Sequence, residues 1–245
     1  MPDDHFGEEI AAHYDDPSDE RFQPAAIEPA VDLLAELAGD GAALELGIGT
    51  GRIALPLAER GVEVHGIDLS TAMVSRLRAK PGGAEIDVTI GDFATARAEG
   101  TFSLAYLVFN TINNLTSQDA QAACFENVAA HLEPGGHFLI EVGVPQLQRL
   151  PPGETVRAFA LTPTHLGFDE YHVATQGLIS HHHELIDGVW RSASLPMRYV
   201  WPAELDLMAR LAGMTLSQRW GGWHREPFTS ESTNHVSVWR KTEGV

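Results

Sequence analysis

The chain has 245 residues, 44% of them apolar and 8% aromatic, with 16 lysines and arginines against 34 aspartates and glutamates, a formal net charge of -18. That length supports one core with an appendage, and no apolar run approaches the ~20 residues of a membrane-spanning helix, so a membrane protein is excluded. An acidic field repels a phosphate backbone, so nucleic acid is not an expected partner; one cysteine, Cys124, and a polar start at Met1 to His5 without a secretory pattern point to the cytoplasm.

Residues 1–26 are an acidic arm, with at most a short helix around Gly7 to Tyr14. From Ile27 the apolar residues Ile27, Val31, Leu34 and Leu37 recur at helical spacing, with Pro29 suited to a first turn and Gly39 as the stop. Ala42 to Leu46 is a buried strand, followed by a glycine-rich turn and a helix over Arg52 to Arg60. Val62 to Asp68 alternates as a second strand, and Ser70 caps a helix running to Ala79. Ile86 to Ile90 and Phe102 to Val108 are the third and fourth strands. The latter is continuously apolar, as a strand covered on both faces must be. Thr116 to Asp119 resembles a capping box ahead of a helix with Ala120, Cys124, Val128 and Leu132 on one stripe, and His137 to Val142 is the fifth strand.

This alternation specifies an α/β fold: a doubly wound, mainly parallel seven-stranded sheet with helices on both faces. The core covers 27–143 and is completed by 202–245, where a helix at Pro202 to Ala212 precedes strands at Met214 to Trp220 and His235 to Arg240. Between them, 144–201 holds β-rich runs without a helix pattern and an Asp187-Gly188 hairpin signal, which is the mark of an antiparallel insert.

The informative stretch is Glu45-Leu46-Gly47-Ile48-Gly49-Thr50-Gly51, after the first strand and before a helix. Glycines there let a ligand approach the backbone, and the helix start offers unpaired N–H groups. A dinucleotide fingerprint would need a glycine where Arg52 stands, which disfavours an NAD(P)-dependent oxidoreductase. The E-x-G-x-G-x-G run instead resembles the first motif of the class I S-adenosylmethionine (SAM) dependent methyltransferases. Asp68 ends the second strand, Gly91-Asp92-Phe93 follows the third, Phe109-Asn110-Thr111 follows the fourth, and Leu132 to Gly136 precedes the fifth, each where that family places a motif.

The resemblance implies SAM as cofactor, held by Glu45, Gly47, Gly49, Gly51, Asp68, Leu69, Met73, Gly91, Asp92, Phe93, Phe109, Asn110 and Thr111. Within it, Asp68 serves the ribose hydroxyls, Asp92 the adenine amino group, and Phe109 to Thr111 pass under the methionine end. The function implied is methyl transfer to an N or O atom of a small molecule. A non-catalytic SAM-binding sensor is the alternative, since no residue is an unambiguous catalyst. The segment Phe109-Asn110-Thr111-Ile112 lacks the N-P-P-Y-like tetrapeptide of nucleic-acid methyltransferases.

Acceptor walls in such sheets come from the arm, the insert and the last loop. An Asp187-Gly188 turn pairs Ile186 with Val189, Leu185 with Trp190, Glu184 with Arg191 and His183 with Ser192. Alternation then groups Ile179, His181, His183, Leu185 and Trp190 on one face, expected to be the buried one. His181 and His183 become acceptor-site candidates, with a hydrogen-bonded structural role as the alternative. As metal ligands they lack an assured third partner, so no metal is expected. Tyr14 resembles an arm tyrosine that closes over the cofactor, or else pins the arm; His224 is the candidate from the last loop. The insert is also a candidate homodimer contact. Cys124 is expected to be a buried, inert thiol.

Overall fold

Neighbouring residues of the central strands enter opposite cores, as the two-residue period of an extended chain requires. The computed structural model describes residues 6–15, 23–186 and 188–242. The polar start, most of the acidic run of the arm and Asp187 of the expected turn lie outside the described residues. β1 (Ala43–Leu46), β2 (Val64–Asp68), β3 (Asp87–Ile90), β4 (Phe102–Leu107) and β5 (Leu132–Gly143) are parallel. Four strands follow as a separate sheet: β6 (Val156–Leu161), β7 (His165–His172), β8 (Gly177–Ile186) and β9 (Val189–Arg198). β10 (Met214–Trp220) and β11 (Asn234–Lys241) return to the main sheet, whose order is β10-β11-β5-β4-β1-β2-β3. β11 is the one antiparallel member, pairing with β5 and β10.

Leu44, Ala105, Leu107, Phe138 and Trp239 pack on one side of this sheet under α5 (Gln118–His131) and α6 (Pro202–Leu211). Ala43, Leu104, Tyr106, Leu139 and Val238 pack on the other under α2 (Pro24–Ala38) and α3 (Ala54–Glu59). Phe125, Phe138 and Trp239 meet edge-on or tilted with centroids 5.0 to 6.1 Å apart, the arrangement that aromatic quadrupoles favour. Burial on both faces explains why these strands are continuously apolar in sequence.

Local chemistry sets the helix ends. Ser70 caps α4 (Thr71–Arg78) by accepting the Met73 N–H, and Ser117 caps α5 by accepting the Ala120 N–H, both at 3.2 Å. The cap is therefore Ser117 rather than Thr116, and with Ala120 three residues on it is a serine cap without the expected box. α2 starts three residues before Ile27, at Pro24, which takes the first-turn role expected of Pro29; Pro29 lies inside the helix. β5 begins at Leu132 and absorbs the Pro134-Gly135-Gly136 turn expected to precede it.

The insert's hairpin register is the expected one, from Ile186 with Val189 through His183 with Ser192. Its orientation is the reverse of expectation. Leu178, Ser180, His182, Leu195 and Met197 face the main body, while His181 and His183 share the outward face with Phe168. The two faces of β8 have similar apolar content, so period two groups the side chains without saying which group turns inward. That choice falls to Tyr171, Leu178 and Tyr199, which form a small core with Leu147, Leu150 and Met197. Arg198 then anchors the end of β9 by bonding Gln121 of α5 and pairing with Glu204 of α6 at 2.7 Å. Among the described residues no helix is long and apolar enough to cross a membrane.

Candidate cofactor and acceptor site

The strand order reverses between β1 and β4, which opens a crevice at the carboxyl ends of both strands, where ligands of such sheets bind. A cavity of about 650 Å³ lies there, within the usual range of small-molecule sites. One end is the glycine turn, the other the inner face of the insert.

At the first end, Gly47, Gly49 and Gly51 all have positive φ, from 56° to 79°. A Cβ on Gly47 would come within 2.7 Å of Thr111 Cγ2, and one on Gly51 within 2.3 Å of Leu77 Cδ1. The turn therefore excludes side chains on both conformational and steric grounds. Asp68, at the end of β2, is oriented by two backbone donors: its Oδ2 accepts the Gly49 N–H at 2.7 Å and its Oδ1 the Ser70 N–H at 2.8 Å. Carboxylate oxygens can each accept more than one hydrogen bond.

Gly47, Gly49, Asp68, Leu69, Met73, Phe93, Phe109, Asn110 and Thr111 all line the cavity, as the sequence suggests. Glu45, Gly51, Gly91 and Asp92 do not. Glu45 is buried beneath the turn, where Tyr106 Oη donates to its Oε2 at 3.0 Å. Burial pushes its carboxyl up to about 8, against the opposing effects of the Tyr106 bond and the Arg52 charge. Gly91 faces Ala96, with no room for a Cβ, and Asp92 caps its own turn by accepting the Ala94 N–H at 2.9 Å.

Sequence reasoning missed Glu141 on β5. Its Oε2 accepts the Phe109 N–H at 2.6 Å, while Asn110 Oδ1 accepts the Gly143 N–H at 2.6 Å. Phe109 and Asn110 both sit in the left-handed region, at φ 55° and 61°, which is costly for non-glycine residues and needs such fixing. The available signal was one acid inside the apolar run Phe138-Leu139-Ile140-Glu141-Val142. The Arg52 guanidinium lies over the Phe109 ring, adding a cation–π contact to the same segment.

The arm closes one side. Tyr14 and Phe6 line the cavity and meet edge-on, 6.3 Å between centroids. Ser70 Oγ donates to the Phe6 carbonyl at 2.7 Å, Thr50 Oγ1 donates to Asp15 Oδ1 at 2.6 Å, and Lys80 pairs with Asp15 at 2.8 Å. The arm is thus tied to the glycine turn and to the cap of α4 through Phe6 and Asp15, with Tyr14 on the cavity wall.

The far end is lined by Arg157, Phe159, Asp169, Tyr171, Ser180, His182 and Tyr199, together with Asn113 and Gln146. Asn113 Oδ1 and Gln146 Oε1 are buried and have no hydrogen-bond partner among the described residues. Leaving such an acceptor unpaired costs about 1–3 kcal/mol. Burial also raises the Asp169 carboxyl above its usual range, opposed by a Ser180 hydrogen bond and the nearby Arg157 charge.

Three expected acceptor residues are absent from these walls. His181 and His183 face outward, hydrogen-bonded to Ser194 and Ser192 at 2.8 and 2.7 Å, so His182 takes their place at the cavity. His224 is displaced because its loop folds back: its N–H donates to Glu226, Trp223 packs on the core, and Thr233 and Asn234 reach the cavity instead. Cys124 is fully buried and its thiol is raised by burial, an inert core residue.

Comparison with known proteins agrees with this architecture. A family model described as a methyltransferase domain matches residues 43–136. The CcbJ methyltransferase from Streptomyces caelestis is 37% identical, superposes with a TM-score of 0.87, and is matched over 98% of this chain and 100% of its own. The cypemycin N-terminal methyltransferase of a Streptomyces species is 28% identical over 203 residues, 80% of this chain and 81% of that protein. SAM-bound CalS10, an amino pentose methyltransferase from Micromonospora echinaspora, shares the fold with a TM-score of 0.68 at 20% identity, with 95% of each chain covered. The glycine turn fits the cofactor by its side-chain-free cradle and its oriented carboxylate, and on this sequence and structural likeness the chain belongs to the class I SAM-dependent methyltransferases.

Proposed function

We propose that the protein methylates a nitrogen atom of a small molecule held between the arm and the insert. The observation that carries this reading is the Asp169 carboxyl on the far wall of the cavity, beside His182, Tyr171 and Tyr199. A carboxyl there suits a ligand that brings an ammonium or N–H donor. The names of two relatives agree with the choice of nitrogen, one being an N-terminal methyltransferase and the other an amino pentose methyltransferase.

Bound SAM supplies a methyl group on a sulfonium, open to attack by a lone pair. Gly47, Gly49, Asp68, Leu69, Met73, Phe93, Phe109, Asn110 and Thr111 form its cradle in this reading, while Glu45, Gly51, Gly91 and Asp92 hold that cradle from behind. An amine must lose its proton before its lone pair is available, and Asp169 and His182 are the groups placed to orient it or take that proton. Tyr14 and the arm exclude water from the joined sites. The single cysteine and the formal charge of -18 suit a cytoplasmic enzyme of neutral or cationic metabolites rather than of nucleic acid. The exposed Leu166 and Trp190, on the outward face of the insert, suit a homodimer contact through it.

Transfer of labelled methyl from SAM to a panel of amino sugars, amino acids and short peptides tests the proposal. Turnover on an amine is expected, lowered in His182→Ala and retained in His181→Ala and His183→Ala. Methylation confined to hydroxyl acceptors would overturn the choice of nitrogen. No transfer by protein that binds SAM would favour the sensor reading.

A further inference from the structure

Beyond the methyl-transfer site, the insert brings together a group of side chains with the chemistry of a metal centre. In the β7–β8 register His165 stands directly opposite Glu184, and Gly167 opposite His182. The three side chains therefore leave one face of the sheet at direct and diagonal cross-strand spacing, set by the backbone. His165 Nε2 lies 3.2 Å from His182 Nδ1 and 3.9 Å from Glu184 Oε1, and the three potential ligand atoms lie within 4.8 Å of one another.

These separations lie near those of a tetrahedral site. Zinc–nitrogen and zinc–oxygen bonds of about 2.0–2.2 Å place neighbouring ligand atoms about 3.3–3.5 Å apart, so closure requires side-chain adjustments of up to about an ångström. The imidazole planes lie within 12° of each other with centroids 5.4 Å apart, so the rings meet nitrogen edge to nitrogen edge in a hydrogen bond that a modest ring rotation would open to an ion. The Phe159 ring packs beside both, its centroid 6.1 Å from that of His165 and 5.1 Å from that of His182. It sits over Gly167, where a Cβ would come within 2.3 Å of it. An apolar wall of this kind holds ligand rings and limits water.

We propose that His165, His182 and Glu184 bind a divalent transition metal ion of the zinc class at the rim of the cavity. Two imidazoles and one carboxylate are a donor set that zinc accepts, and three protein ligands leave a fourth position open. His182 lines the cavity, so that position is within reach of its contents. The ring-to-ring hydrogen bond is the metal-free state. An ion displaces its proton. The site stands on these side-chain positions and is independent of which acceptor is methylated.

The test is titration of untagged, chelator-treated full-length protein with zinc chloride against a chromophoric zinc indicator, followed by cobalt(II) substitution read in the visible spectrum. One equivalent of zinc is expected, with affinity reduced at least tenfold in His165→Ala and in Glu184→Ala. The cobalt form should show the intense absorption of a low-coordinate nitrogen and oxygen site, lost in His165→Ala/His182→Ala. Glu184 is half exposed, so its removal leaves the fold intact, and unchanged SAM binding verifies this for each variant. Failure of the wild-type protein to take up stoichiometric zinc while binding SAM would overturn the site. Wild-type zinc affinity in folded His165→Ala and Glu184→Ala would do so equally.

Discussion

Glu141 Oε2 accepts the backbone N–H of Phe109 at 2.6 Å, so a carboxylate from the middle of β5 holds the segment that follows β4 in its left-handed conformation. The bond is part-buried, and burial raises the Glu141 carboxyl above its usual range despite the donor and the nearby Arg52. Glu141→Ala would leave a buried N–H without an acceptor, at about 1–3 kcal/mol, and free Phe109 and Asn110 to relax. We expect a lower melting temperature and at least tenfold weaker SAM binding. Glu141→Gln, which keeps a carbonyl oxygen in place, should recover most of both. Equal loss in the two variants would show that charge, rather than the hydrogen bond, is what matters.

Asp68 is the most direct test of the cofactor cradle. With its oxygens already fixed by Gly49 and Ser70, it offers a pre-oriented pair of acceptors to adjacent hydroxyls. Asp68→Ala should weaken SAM binding at least tenfold, about 1.4 kcal/mol, by calorimetric titration. Unchanged affinity in a folded variant would remove Asp68 from the ribose role.

Glu45 predicts a pH dependence. Its folded pKa of about 8 lies above the ordinary 4.5, so the fold binds this proton more tightly than the unfolded chain does. The resulting stability is complete below about 4.5 and is lost as pH rises toward 8. Melting of the SAM-free protein should therefore become easier across that window, and Glu45→Gln should flatten the trend. A cationic cofactor in the adjoining cavity favours the carboxylate, so SAM binding near neutral pH should release a proton. Calorimetry in buffers of different ionisation enthalpy measures that release, and an undiminished release in Glu45→Gln would assign it elsewhere.

Glu204 behaves oppositely. Burial acts to raise its pKa, but donors from Gln176, Arg198 and Gln118 outweigh it and the carboxyl is lowered. Its contribution is present above the ordinary carboxylate range and is lost as pH falls through the lowered value. Glu204→Ala leaves the buried Arg198 uncompensated and should destabilise by about 3 kcal/mol at neutral pH, with the difference from wild type shrinking in acid. Denaturant melts at two pH values decide this. A constant difference would mean that packing, not charge, dominates the junction between insert and core.

Composition and period-two or helical spacing were enough to determine the strand and helix order, the parallel sheet, the insert and the glycine turn, because each depends on neighbours within a few residues along the chain. The hairpin register was equally legible, since a two-residue turn leaves one way to pair its strands. Which face of the insert meets the cavity was decided only in three dimensions. The Tyr171, Leu178 and Tyr199 cluster and the Arg198 junction turn His182 inward and His181 and His183 outward. Glu141 and the group of His165, His182 and Glu184 were hidden for the same reason: their partners are distant in sequence and become neighbours only through strand pairing. The charge of -18 disfavoured a polyanionic partner, whereas the placement of Asp169 and His182 on the cavity wall came only with the fold.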